Sequence, residues 1–154
     1  LLQSSAASDV YKRQIWQCGN LYADDYMPYT SANIHVMPFI DEMPAAYALA
    51  DVVVSRAGAL AISELCLMGK PTLFIPSPNV AENHQEKNAQ ALADKEAALL
   101  VAERDADEQF WTTLESLITD ASLRTKLGEN IKGFAHPTAT KEILNRLIKI
   151  LTHE

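Results

Sequence analysis

Cysteine is scarce in this chain of 154 residues: Cys18 and Cys66 are its only two, and they fit neither a metal-binding spacing nor a disulfide framework. Free thiols in a reducing compartment are therefore expected. Positive charge is short as well. Thirteen lysines and arginines face twenty acidic residues, the formal net charge is −7, and the basic residues form no extended block. Phosphate backbones and lipid headgroups both need clustered cations, so neither a nucleic-acid partner nor a membrane-binding surface is expected of these residues. No apolar run is long enough to span a bilayer and no charged-apolar-small signal segment opens the chain, which makes the cytosol the expected setting. The patterns G-x-G-x-x-G, Walker A and G-x-S-x-G are absent too. Their absence argues against a dinucleotide oxidoreductase, a P-loop ATPase and a hydrolase built on a nucleophile elbow.

What is present is ordinary for a globular domain. Hydrophobic residues make up 48% and charged residues 21%, and the length suits one domain with its own core. Residues 1–14, LLQSSAASDVYKRQ, show no sustained period and read as a non-native leader, so residues 15–154 carry the fold. From Ile15 on, strand and helix signals alternate. IWQCG reads as a strand end, NLYADDYM as a short helix, and ANIHVMPFI as a strand closed by Pro38. DEMPAAYALAD has the acidic start and early proline of a helix N-terminus. The run Val52-Val53-Val54 predicts a strand covered on both faces.

A helix then runs to Met68, stopped by Gly69 and Pro71. PTLFIP is the next strand, SPNVAE a loop, NHQEKNAQALADKE a helix and AALLV a last strand. Three helices follow, two of them with apolar stripes, Phe110, Leu114, Leu117 and Ile118 in one and Ile143, Leu147, Ile150 and Leu151 in the other, that predict packing. Alternation at this pitch predicts an α/β fold, a doubly wound parallel sheet with helices on both faces, in which ligands bind beyond the carboxyl ends of the strands.

One such end is SRAGALAISE, residues 55–64. Gly58 has no Cβ, and Ala59 and Ala61 are small, so a ligand can approach the unpaired amides of the helix start. Those amides and the helix dipole favour an anion such as pyrophosphate. Glu64 is the only charged residue from Ala57 to Met68. Its two acceptor oxygens match the neighbouring hydroxyls of a ribose, and phosphate with sugar describes a nucleoside diphosphate. The same residues also fit blander roles: a tight helix-sheet contact at Gly58, a solvated Glu64, and an Arg56 paired with Asp51. One βα unit later, Glu82, His84, Gln85 and Asn88 open a helix, and side-chain amides suit uncharged hydroxyls such as those of a hexose.

At these residues the chain resembles the carboxy-terminal half of the MurG family of bacterial UDP-N-acetylglucosamine transferases. The likeness runs from about Ile15 onward and is densest over FIDEMPAAYALADVVVSRAGALAISELCLMGKPTLFIPSPNVAENHQEKNA. The resemblance implies one Rossmann-like half of a GT-B glycosyltransferase, the half that holds the donor UDP-GlcNAc. It implies that Phe39 and Ile40 lie at the uracil, Ile40 through its backbone, and that Ala59, Leu60 and Ala61 meet the diphosphate. Glu64 would hold the ribose hydroxyls, His84, Gln85 and Asn88 would face the GlcNAc ring, and Arg56 matches a family arginine near the site. The family often has threonine or serine where Ala61 stands and glutamine where His84 stands. The reaction implied is direct displacement, with inversion, of UDP by the C4 hydroxyl of lipid-linked MurNAc-pentapeptide, with no metal and no cofactor. The general base, the acceptor cleft and the membrane patch belong to the family's other half, so this chain is expected to be a donor-binding fragment, inactive alone, of an enzyme peripheral to the cytoplasmic face of the inner membrane. Two other readings stay open at this point: a UDP-GlcNAc 2-epimerase-like isomerase, and a non-catalytic nucleotide-binding module.

Overall fold

The computed structural model describes residues 13–78 and 83–152. The leader expected at residues 1–14 lies outside them except for Arg13 and Gln14, and Gln14 already belongs to the first strand. Glu82 and most of the loop before it also lie outside the described residues. The chain divides after Leu49 into two compact units.

In the first unit, β1 (Gln14–Gln17) and β2 (Ile34–Met37) run parallel, with Gln14 opposite Ile34 and Gln17 opposite Met37. Between them lies α1 (Ala23–Tyr26), flanked by 3-10 turns at Asn20–Tyr22 and Met27–Tyr29. The unit ends with α2 (Met43–Leu49), whose Pro44 sits in the first turn, where a missing N–H costs nothing.

In the second unit, β3 (Val53–Ser55), β4 (Thr72–Phe74) and β5 (Leu99–Leu100) form a parallel sheet in the order β3-β4-β5. Right after β3 comes α3 (Ala59–Met68), and α4 (His84–Ala93) follows β4. After β5 come a 3-10 turn at Glu103–Asp105, then α5 (Ala106–Thr119), α6 (Ala121–Lys132) and α7 (Ala139–Thr152). The central strand is the anchor: Thr72, Leu73 and Phe74 are all buried. Leu73 packs with Val101, Leu117 and Leu127, and Phe110 and Leu114 close over them. Each such side chain contributes about 1.5–3 kcal/mol when fully buried. Phe110, Leu114 and Leu117 of the stripe expected on α5 are thus part of the core, while Ile118 lies at its half-buried margin.

Helix α3 stops where the sequence says it should. Gly69 adopts a left-handed conformation, φ 63° and ψ 38°, and its N–H donates to the Cys66 carbonyl while the Lys70 N–H reaches back to Leu65. A side chain at Gly69 would be strained in that conformation and would also run into the Lys132 side chain.

Every strand pairing is parallel, as expected, β1 with β2 in the first unit and β3-β4-β5 in the second. Two expectations need correction. The valine run is not covered on both faces: Val54 is 43% exposed. Finally, Ile143, Leu147, Ile150 and Leu151 of α7 are exposed, and no described residue of that helix is buried. The helical period marks an apolar face but not what it packs on.

Candidate functional site

The carboxyl ends of β3 and β4 converge on two helix starts. Gly58 caps α3 with φ −69° and ψ 146°, an extended conformation open to any residue, and no side chain bonds to the cap. The first helical bond runs from the Ile62 N–H to the Gly58 carbonyl at 3.0 Å. The amides ahead of it, in the first turn, cannot be satisfied by the helix itself. A Cβ built on Gly58 would meet nothing within 4 Å. Nothing in the chain therefore requires glycine here; its missing side chain matters only to something arriving from outside.

Further along α3, Leu60 and Glu64 are both exposed, one turn apart on one face, whereas Leu65 and Cys66 turn inward. Glu64 is therefore on the solvent side of the helix whose N-terminus carries the open amides. Burial pushes the Cys66 thiol above its ordinary value.

Arg56 does not pair with Asp51. Its Nη1 donates to Glu103 Oε2 at 2.5 Å and to the carbonyls of Ile75 and Pro76 at 3.1 and 3.4 Å. The loop between β3 and α3 is thereby fastened to the segments that leave β4 and β5. Neither Glu103 nor those carbonyls carry a local sequence signal pointing at Arg56, because the carboxylate lies 47 residues away.

At the start of α4, Asn83 caps the helix in a left-handed conformation, φ 53°, and its side chain contacts Glu86. His84 is the first helical residue and is exposed. Gln85 Oε1 accepts from the Ser77 N–H at 3.0 Å, which points the Gln85 amide's donor end elsewhere. Asn88 Nδ2 donates to the Ala57 carbonyl at 3.4 Å, one residue before the Gly58 cap. The two clusters singled out in the sequence, fifteen or more positions apart, are thus joined directly by a side chain.

Of the expected site residues, Arg56, Gly58, Ala59, Leu60, Ala61, Glu64, His84, Gln85 and Asn88 all belong to the second unit and gather at its strand ends. Phe39 and Ile40 belong to the first unit, just after β2. Phe39 is exposed, and the Ile40 N–H donates to Gln17 Oε1 at 2.9 Å, so its carbonyl is the backbone group left for another partner. A cleft of about 320 Å3 opens between the exits of β4 and β5, bordered by Ser77, Asn83, Glu86, Glu103 and Arg104. None of its lining comes from α3, so it lies beside the helix tip rather than over it. Asp105 and Asp107 stand two apart at the start of α5, and Asp105 faces Arg104 at 3.6 Å. Among the described residues no three metal-ligating side chains gather.

Residues 7–143 match the family model described as the glycosyltransferase family 28 C-terminal domain. A Flavobacterium psychrophilum protein, UDP-N-acetylglucosamine--N-acetylmuramyl-(pentapeptide) pyrophosphoryl-undecaprenol N-acetylglucosamine transferase, is 49% identical over 138 residues, 89% of this chain and 38% of that protein. Its namesake from Porphyromonas gingivalis strain W83 is 44% identical over 144 residues, again 38% of its length. The crystal structure of MurG from Acinetobacter baumannii superposes with a TM-score of 0.77 at 28% identity, over 90% of this chain and 42% of that one. The chain therefore spans well under half the length of the relatives it matches. With the family match running from residue 7 to residue 143, over parallel strands and helix starts arranged as described, this chain belongs to glycosyltransferase family 28, in its C-terminal domain.

Proposed function

We propose that the chain is the donor-binding part of an inverting transferase that moves GlcNAc from UDP-GlcNAc to the C4 hydroxyl of lipid-linked MurNAc-pentapeptide, the step from lipid I to lipid II in peptidoglycan synthesis. The observation that carries this reading is the uncapped start of α3 behind Gly58, in a chain 49% identical to a transferase of that name. Amides of the first turn, from Ala59 to Ala61, take the diphosphate. Negative charge grows on that group as the bond to the sugar breaks. Fixed N–H donors and the positive end of the helix dipole then stabilise the transition state more than the bound substrate.

Glu64 accepts from the two ribose hydroxyls. Gln85 and Asn88, each held through one end of its amide, offer the other end to sugar hydroxyls: a donor from Gln85, an acceptor from Asn88. His84 takes a place at the same ring. The assignment of Phe39 and Ile40 to the uracil rests on the family resemblance alone. The base that deprotonates the acceptor hydroxyl, the acceptor cleft and the membrane contact are assigned to the part of the enzyme that this chain does not span. The location of the whole enzyme, peripheral on the cytoplasmic face of the inner membrane, rests on the family resemblance; no helix among the described residues is long and apolar enough to cross a membrane.

Calorimetry with UDP and UDP-GlcNAc tests this division. Glu64→Ala should weaken both ligands roughly 10- to 150-fold, the worth of about 1.5–3 kcal/mol for hydrogen bonds to a charged group. Gln85→Glu keeps the acceptor for the Ser77 N–H and removes the donor, so it should weaken UDP-GlcNAc well beyond its effect on UDP. Equal losses for the two ligands in the Gln85 variant, or no UDP binding by the unmodified chain, would contradict the reading.

A further inference from the structure

Arg56 Nη1 makes all the hydrogen bonds of that guanidinium: to Glu103 Oε2, to the Ile75 carbonyl and to the Pro76 carbonyl. Among the described residues Nε and Nη2 have none. The three partners leave β4 and β5, and Arg56 itself leaves β3, so one nitrogen gathers the carboxyl ends of all three strands of the sheet. Only Ala57 separates it from the Gly58 cap.

Both side chains of the pair are about half exposed, 53% and 43%. Ion pairs so exposed add little to stability, so what this one fixes is position. A free arginine samples many rotamers. With Nη1 pinned, the guanidinium plane is set and the opposite edge, with Nε and Nη2, keeps the fork that suits phosphate oxygens. We propose that Glu103 is a positioning residue for the donor diphosphate: it holds Arg56 so that the β3–α3 loop is ordered and the remaining guanidinium edge serves the phosphates. This rests on the donor reading given above.

Electrostatics alone predicts the opposite sign. A carboxylate near an anion site repels the ligand, so if Glu103 acted only through its charge, removing it would tighten UDP binding. Uridine and UDP differ by the diphosphate, and the ratio of their Kd values in the 154-residue chain isolates that group's contribution. Glu103→Ala should cut this ratio roughly five- to tenfold with uridine unchanged, and Glu103→Gln, which keeps the acceptor, should recover at least half of the loss. Without ligand, amide hydrogen exchange across residues 56–62 should quicken in Glu103→Ala and stay unchanged in α6. A ratio that stays level or rises in Glu103→Ala, or exchange that does not change at residues 56–62, overturns the proposal. If the unmodified chain binds no UDP, the donor reading itself falls and takes this role with it. Normal binding that Glu103→Ala leaves intact removes only the role of Glu103.

Discussion

At the scale of single residues, Gly58 separates what the fold needs from what a ligand needs. Its backbone angles suit any residue and a Cβ there would stand in open space. Gly58→Ala gives up a better cap residue, a cost of about 0.5–1 kcal/mol, but restricts the unfolded chain by a similar amount. The urea midpoint should therefore barely move, while on the proposed donor site UDP affinity should fall at least tenfold, since the new methyl would stand where the diphosphate is proposed to meet the amides. A variant that loses stability and keeps UDP affinity would reverse that assignment. Gly58, Glu64, Gln85 and Asn88 could be proposed from the sequence because each is a chemically pointed residue on a helix that follows a strand. It did not show Glu103, because an ion pair between residues 47 apart leaves no local pattern.

Elements were legible where punctuation was strong. Gly69 and Pro71 end α3, Pro38 closes β2, and the observed helices and strands overlap the expected segments, with β1 starting one residue early at Gln14, β3 ending one residue late at Ser55 and α6 running on to Lys132. Partners were not legible, since a strand looks the same at an edge as at the centre. Val54 proved exposed and β4, with the similar run Thr72-Leu73-Phe74, proved fully buried. The stripe of α7 has the same period as that of α5, yet only α5 reaches the core. The stop at Gly69 can be weighed: Gly69→Ala forces a left-handed alanine, about 1–2 kcal/mol, whereas the Lys132 side chain can swing away at small cost. Urea denaturation should report a loss in that range, with UDP affinity per folded molecule unchanged because the change lies at the far end of α3. A loss under half a kcal/mol would mean that the helix end relaxes.

For the whole molecule, composition and alternation were enough to predict an α/β chain, and the parallel ladders agree. The division into two units after Leu49 was not visible, because residue order says nothing of where a chain parts into compact pieces. Global unfolding has its own reporter in Cys66, which is 1% exposed and whose thiol burial pushes above its ordinary value near 9. Below that value the thiol is protonated in folded and unfolded chains alike, and its contribution is fully present. As pH rises past about 9, the unfolded chain ionises first and the contribution drains away towards the higher folded value. Cys66→Ala should therefore be less stable at neutral pH yet lose stability less steeply above about pH 9, read from urea midpoints across that range. An identical alkaline slope in both proteins would show that the thiol is not sequestered.

The hydrogen bond from Asn88 to the Ala57 carbonyl has a mechanical sequel. It lashes the opening turn of α4 to the peptide that leads into α3, so a tug on either helix is felt by the other. Whatever settles at one helix start is therefore registered at the other.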